Sequence, residues 1–281
     1  MKNLFKHIAT TSVFLVLSIV ISAELMAQIT IAPTNLFIDS RNKFGSYLII
    51  NNSSEPYEIS IDFLFGYSEA DENGNRYLVY DDSVTAEKYS IVEWIRAFPQ
   101  NLTLAPNQRQ TVRLRINPPS DIENGTYWAR IRTTATPRST AIEDQSNQGI
   151  SANIGLRIQQ ITGIFYKNGT VSTDINIKDI TTEQNNGQID VFYGLERTGN
   201  SPFIGSIGVK MYDSNNRVVR ENINFTSIYF DLKLKDSFDI SDLAPGNYRI
   251  EVTVKSERSD ISSSDLIQIE PVQKTSTIRI P

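Results

Sequence analysis

No cysteine occurs in the 281 residues of this chain, and its single histidine is His7. The first absence excludes disulfides, thiolate nucleophiles and cysteine-held metals. The second leaves no imidazole beyond residue 7 to shuttle a proton near neutral pH or to ligate zinc or copper. Hence no catalytic residue, no metal and no cofactor is expected, and the chain reads as a binding protein, not an enzyme. Acidic side chains outnumber basic ones, 32 to 27, for a formal net charge of −5. No basic stripe stands out along the sequence, so nucleic acid is not an expected partner.

Long apolar runs are confined to the start. Lys2 and Lys6 precede the run VFLVLSIVI at residues 13–21, and Ala27 offers the small residue that signal peptidase requires. Residues 1–27 are therefore expected to be a signal peptide, cleaved before Gln28. The run is shorter than the roughly 20 residues of a bilayer span, and no later segment of the sequence has that character. An exported chain without disulfides suits the bacterial periplasm, and its length suits two domains.

Helical periodicity is nearly absent after the leader. Alternation over five to eight residues dominates, broken by Gly, Asn, Asp and Pro, which predicts an all-β antiparallel architecture. Strands are expected over residues 29–31, 35–39, 45–51, 57–65, 91–98, 108–116, 125–134 and 150–165. A second series covers 171–179, 188–198, 206–212, 218–225, 227–232, 237–240, 246–255 and 264–269. An internal echo sets the organisation: DIENGTY at residues 121–127 recurs as DLAPGNY at 242–248. Aspartate, an apolar residue, glycine and tyrosine at this spacing match a tyrosine corner, where the phenol ties a sheet-to-sheet crossing to backbone upstream. Two copies imply two tandem immunoglobulin-like β-sandwiches, over residues 28–161 and 162–281.

Three other patterns carry little. Asp71, Asn73 and Asn75 have the opening spacing of a calcium loop, yet Arg76 stands where that loop needs glycine; a hairpin tip is expected. Glu93 and Asp190 fall in alternating strands, where solvent-facing charge is ordinary. Trp94, Tyr127 and Trp128 read as core or corner aromatics, with a sugar-binding platform as the competing reading.

The segment that points to function holds Ile150, Ala152, Ile154, Leu156 and Ile158, which alternate strictly with polar residues and so share one face of a strand. Such a face either covers its own domain's core or is lent to a partner that lacks a strand. The polar stretch before it, residues 136–149, reads as a long loop between the last two strands of the first domain. A loop that becomes ordered on binding favours the lent strand.

Four segments in order carry a resemblance: ITIAPTNLFI at 29–38, INNSSEPYEISI at 50–61, PQNLTLAPNQRQTVRL at 99–114 and GTYWARI at 125–131. GIFYK at 163–167 follows the alternating strand. Over residues 29–167 the chain resembles the PapD-like periplasmic chaperones, which assemble pili through the chaperone–usher pathway. The resemblance implies two sandwiches set as a boomerang and a donor strand formed by Ile150, Ala152, Ile154, Leu156 and Ile158. It implies as partner a secreted pilus or surface-assembly subunit, with an outer-membrane usher receiving it. Family members hold the subunit's terminal carboxylate with an Arg and a Lys, but the aligned positions here are Asn35 and Gly163. Arg157 and Lys167 are the candidate replacements. An apolar edge of this kind also invites self-association. The competing function is a non-catalytic envelope protein that binds peptidoglycan or another glycan.

Overall fold

The computed structural model describes residues 28–138 and 156–281. Period-two alternation organises the first sandwich. β1 (Ile29–Ala32), β3 (Phe44–Asn51), β9 (Arg109–Ile116) and β7 (Ile95–Phe98) form one sheet in the order β1-β3-β9-β7. Its inward residues, among them Ile29, Tyr47, Ile49, Val112 and Leu114, are buried. They face the sheet β2-β11-β10-β4-β8, made of β2 (Asn35–Asp39), β4 (Tyr57–Leu64), β8 (Asn101–Leu104), β10 (Gly125–Pro137) and β11 (Ile158–Asn168). That sheet contributes Ile59, Ile61, Ile131, Ile164 and Tyr166 to the same core. The chain changes sheets between β1 and β2, at Pro33, which has no N–H to offer either ladder.

The second sandwich packs β12 (Thr173–Asn185), β13 (Gln188–Gly199) and β16 (Leu232–Asp239) on a sheet ordered β15-β14-β17-β18. These last four are β14 (Phe203–Tyr212), β15 (Val218–Ile228), β17 (Gly246–Lys255) and β18 (Val272–Ile280). Asn186 and Gly187, both with positive φ, turn β12 into β13 in the manner of a two-residue hairpin. Both tyrosine corners are present: the Tyr127 hydroxyl donates to the Glu123 carbonyl at 3.1 Å and Tyr248 to Ala244 at 2.8 Å. The architecture is thus two immunoglobulin-like sandwiches in tandem.

Several expectations are corrected. β11 crosses the anticipated division at 161/162 and stays in the first sandwich to Asn168; by sheet membership the second sandwich starts at Thr173. Residues 92–94 form a 3-10 turn before β7, a helix α1 (Ser83–Tyr89) appears, and the final strand is β18, not residues 264–269. The Asp71 region is the tip of a hairpin made of β5 (Tyr67–Ala70) and β6 (Arg76–Val79). Asp71 accepts from the Asn73 and Asn75 N–H groups, and Gly74 turns with φ +75. Among the described residues no cluster of three or more carboxylates, His or Cys is placed to hold a metal, and no helix is long and apolar enough to cross a membrane.

This hairpin leaves the first sandwich and lies against the second. Ala70 packs on the second core, and Ser68 Oγ donates to the Ser227 carbonyl at 2.8 Å. A Cβ on Gly74 would come within 2.7 Å of the Lys235 backbone nitrogen, so the tip requires glycine for closeness as well as for φ. A third apolar cluster fills the junction: Phe65, Tyr67, Trp128 and Phe165 from the first sandwich meet Ile204, Tyr229 and Leu266 from the second.

Candidate strand edge and arginine cleft

β11 pairs antiparallel with β10 along its whole length, Ile158 opposite Ala135 through Asn168 opposite Gly125. On its other side β2 runs parallel, but only from Asn35 opposite Gly163 to Asp39 opposite Lys167. Residues 158–162 therefore have no strand on that side among the described residues. The Gly163 N–H points to that side, donating to the Thr34 carbonyl at 3.0 Å. By the two-residue period, the peptide groups of Gln159 and Ile161 face the same way, along an unpaired edge.

Of the five expected donor residues, Ile150, Ala152 and Ile154 lie outside the described residues. Ile158 is partly buried against the first core, on the face that Ile164 and Tyr166 continue, whereas Leu156 is 62% exposed. Of the described pair, Ile158 thus belongs to the parent core and Leu156 does not.

The edge ends at a cleft of about 330 Å³ between the sandwiches, lined by Asn35, Ile161, Gly163, Arg76, Arg130 and Arg258 among others. Arg130 stands opposite Gly163 across the β10–β11 ladder. It donates from Nε to the Gly66 carbonyl at 3.1 Å and lies 5.6 Å from the Tyr229 ring centroid. A Cβ at residue 163 would sit 2.6 Å from Asn35 Oδ1 and 3.5 Å from Arg130 Nη1, so glycine leaves room for both groups. Arg76 reaches the Phe225 carbonyl at 3.4 Å. Arg258 is neutralised by a two-pronged bond to Asp260 at 2.9 and 2.7 Å. Arg76 and Arg130 have no carboxylate partner among the described residues, so two cations converge here without a counter-ion. This is the chemistry of a carboxylate site.

The two replacements expected from sequence lie elsewhere. Lys167 turns away from the cleft, donates to the Asp265 carbonyl and sits 5.1 Å from the Phe37 ring centroid. Burial pulls its pKa down, against the opposing charges of Asp265 and Asp39. Arg157 is exposed, with no polar partner among the described residues. Asn35 and Gly163 do line the cleft, and the positive charge beside them comes from Arg130. The strand pairing alone would have exposed this, since residue 130 is the cross-strand neighbour of 163. Arg76 and Arg258 are brought in by the hairpin and the second sandwich, which no local pattern signals.

The aromatics divide between two locations. Tyr127 closes its corner and Trp94 packs on it with ring centroids 5.3 Å apart. Trp128 is 2% exposed in the junction, stacked on Tyr89 at 4.7 Å and beside Tyr229 at 4.9 Å. Neither tryptophan offers an open platform for a sugar.

Asp82 couples α1 to this junction. It caps the helix by accepting from Thr85 N–H at 3.0 Å, and it accepts the Tyr67 hydroxyl at 2.7 Å. The Thr85 hydroxyl, the Thr85 N–H and Tyr67 together hold its carboxyl down to about 2, from an ordinary 3.8. Tyr67 is pushed up to about 12, by burial first and then by Asp82. Because the folded pKa is depressed, the contribution is complete above the unfolded value and is lost as pH falls through the folded one. Near-ultraviolet circular dichroism should therefore show the junction tyrosines loosening between pH about 4 and about 2. In Asp82→Asn that acid step should be flatter; an unchanged acid profile would mean Asp82 does not set it.

No family model matches the chain, and no curated protein matches its sequence. Solved structures do. One chain of the Salmonella enterica complex of SafA pilin with the SafB chaperone is 8% identical, over 90% of this chain and 98% of that one, with a TM-score of 0.42. A chain of the CsuC–CsuE chaperone–tip adhesion subunit complex of Acinetobacter baumannii is 9% identical, over 88% and 98%, with a TM-score of 0.44. The Pseudomonas aeruginosa CupB2 chaperone is 8% identical, over 89% and 100%, with a TM-score of 0.38.

Proposed function

We propose that this protein is a periplasmic chaperone-like protein that binds and stabilises pilus or surface-assembly subunits by lending them a β-strand. The observation that carries the reading is the unpaired edge of β11 at residues 158–162, which ends at the cleft holding Arg76 and Arg130. A partner strand laid along that edge in line with β2 would run parallel to β11. Its C-terminal end would then arrive beside Arg130 and Arg76, whose unpaired charge suits a terminal carboxylate.

The alternating residues 150–158 supply the apolar side of the bond. Each large aliphatic side chain buried is worth about 1.5–3 kcal/mol, so four of them with Ala152, together with main-chain ladder bonds, are of the size needed to offset the ordering costs of association. The client is a secreted subunit lacking a strand, delivered in turn to an outer-membrane usher; without a client the same edge is open to a second copy. Nothing at the site calls for catalysis. The glycan-binding alternative has no exposed tryptophan to build on.

Replacing Ile154 and Leu156 together with Asp should abolish recovery of a co-expressed subunit from periplasmic extracts while leaving the melting temperature within a few degrees. Full recovery of the subunit by the folded double variant would refute strand lending.

A further inference from the structure

The outer face of the sheet β1-β3-β9-β7 has a composition unlike the rest of this acidic protein. Residues directly opposite one another in antiparallel strands share a face, and the ladder pairs Phe44 with Arg115, Ser46 with Arg113, Leu48 with Thr111 and Ile50 with Arg109. Arg96 stands opposite Arg115 and Phe98 opposite Arg113; on the far side Ala32 and Thr30 face Leu48 and Ile50. The twelve outward positions thus hold four arginines and no carboxylate. None of the four arginines forms an ion pair among the described residues. Sequence inspection finds no basic stripe because Arg109, Arg113 and Arg115 alternate with buried residues, and Arg96 joins them only across the ladder.

Apolar groups lie within the charge. Phe44 is 61% exposed and Phe98 59%, and they sit beside Arg113 and Arg115, with the Arg115 guanidinium 5.8 Å from the Phe44 ring centroid. Lys43, exposed at the preceding turn, adjoins them. This sheet face gathers its cations on one side of the molecule, with two exposed phenyl rings among them. That arrangement matches a planar anionic surface, where guanidinium groups meet phosphates and phenyl rings enter the headgroup layer.

We infer that this face docks the protein on a membrane surface rich in anionic phospholipid. The negative charge on the rest of the chain orients the molecule so that this face leads. β11 belongs to the opposite sheet, so its edge stays open when the protein is docked. An acidic polypeptide is the competing occupant; the two exposed phenyl rings among the arginines, Phe44 and Phe98, favour the bilayer.

Residues 28–281 contain every described strand and both cores, and that form of the protein serves for the test. Its flotation is compared between vesicles of phosphatidylcholine alone and vesicles with about one-third phosphatidylglycerol. Binding is expected only to the anionic vesicles and should fall as salt rises from about 0.05 M to about 0.5 M. The double variant Arg113→Glu with Arg115→Glu should bind about tenfold more weakly or less, with an unchanged melting temperature. The control Lys233→Glu with Lys255→Glu, on the second sandwich, should bind as the parent does. Phe44→Ser with Phe98→Ser should weaken binding and keep its salt dependence. Equal binding to neutral vesicles, or indifference to the arginine reversal, would overturn the inference. So would capture on immobilised poly-glutamate without vesicle binding, which would assign the face to an acidic protein.

Discussion

Replacing Trp128 with alanine is expected to destabilise the protein by about 3–5 kcal/mol and to uncouple its two halves. The indole is 2% exposed and is enclosed by Tyr89, Phe65 and Tyr229 with centroids 4.7, 5.7 and 4.9 Å away. Those rings come from α1, the residue that follows β4 and the second sandwich, so a single truncation opens a void where the three meet. Large-to-small changes cost the lost transfer energy plus the cavity left behind, because close-packed surroundings relax only in part. Urea unfolding followed both by fluorescence and by far-ultraviolet circular dichroism should give coincident transitions for the parent. In the variant the two curves should separate, with the second sandwich melting in its own step. Trp128→Phe is the control: Nε1 has no hydrogen-bond partner among the described residues, so the smaller ring should cost far less. Coincident curves in Trp128→Ala with a loss under about 1 kcal/mol would mean that the junction contributes little.

Asn51→Ala should cost about 2–4 kcal/mol, a large loss for one small side chain. Asn51 is fully buried at the end of β3. Its amide donates to the carbonyls of Glu55 at 2.7 Å, Leu104 at 3.1 Å and Ala105 at 3.1 Å. Its oxygen accepts from Ser53 N–H at 3.0 Å and Ser53 Oγ at 2.7 Å. One residue thus ties the turn into β4 to the end of β8, and alanine would leave buried carbonyls without donors. Asn51→Asp should be worse, since it places acceptors against acceptors. Chemical denaturation of the three proteins at neutral pH checks both the size and the order; aspartate tolerated as well as asparagine would contradict this account.

The same residue shows what can be read before the fold is known. The motif INNSSEPY is recognisable as a turn from its composition, yet what the first Asn does there depends on Leu104 and Ala105, more than 50 positions away. The tyrosine corners are legible because their bond is local: hydroxyl and carbonyl lie four residues apart in each copy. Most strands are legible from alternation, whereas α1 is only seven residues long, too short for a helical period to register. β11 is misjudged at its C-terminal end, which reaches Asn168 instead of residue 165, because its apolar run serves two cores. Ile164 and Tyr166 face the first sandwich, and Phe165 faces the junction, which erases the alternation that marks a strand's limit. Of the site, the place of Ile158 on the face that packs on the first core can be read from alternation, and the charge beside it cannot. Arg130 becomes visible only through its cross-strand position, and Arg76 only through a hairpin that leaves its own sandwich.

That hairpin has a consequence for how the molecule is made and how it can be rearranged. Ala70 and Gly74 are synthesised long before β16 and the core against which they rest. When the C-terminal half emerges, part of the surface it assembles on is already waiting in the N-terminal half. Maturation is therefore directional, and the carboxyl-terminal module is not a transferable cassette. A fusion that carries residues 173–281 alone leaves behind a piece of its own wall.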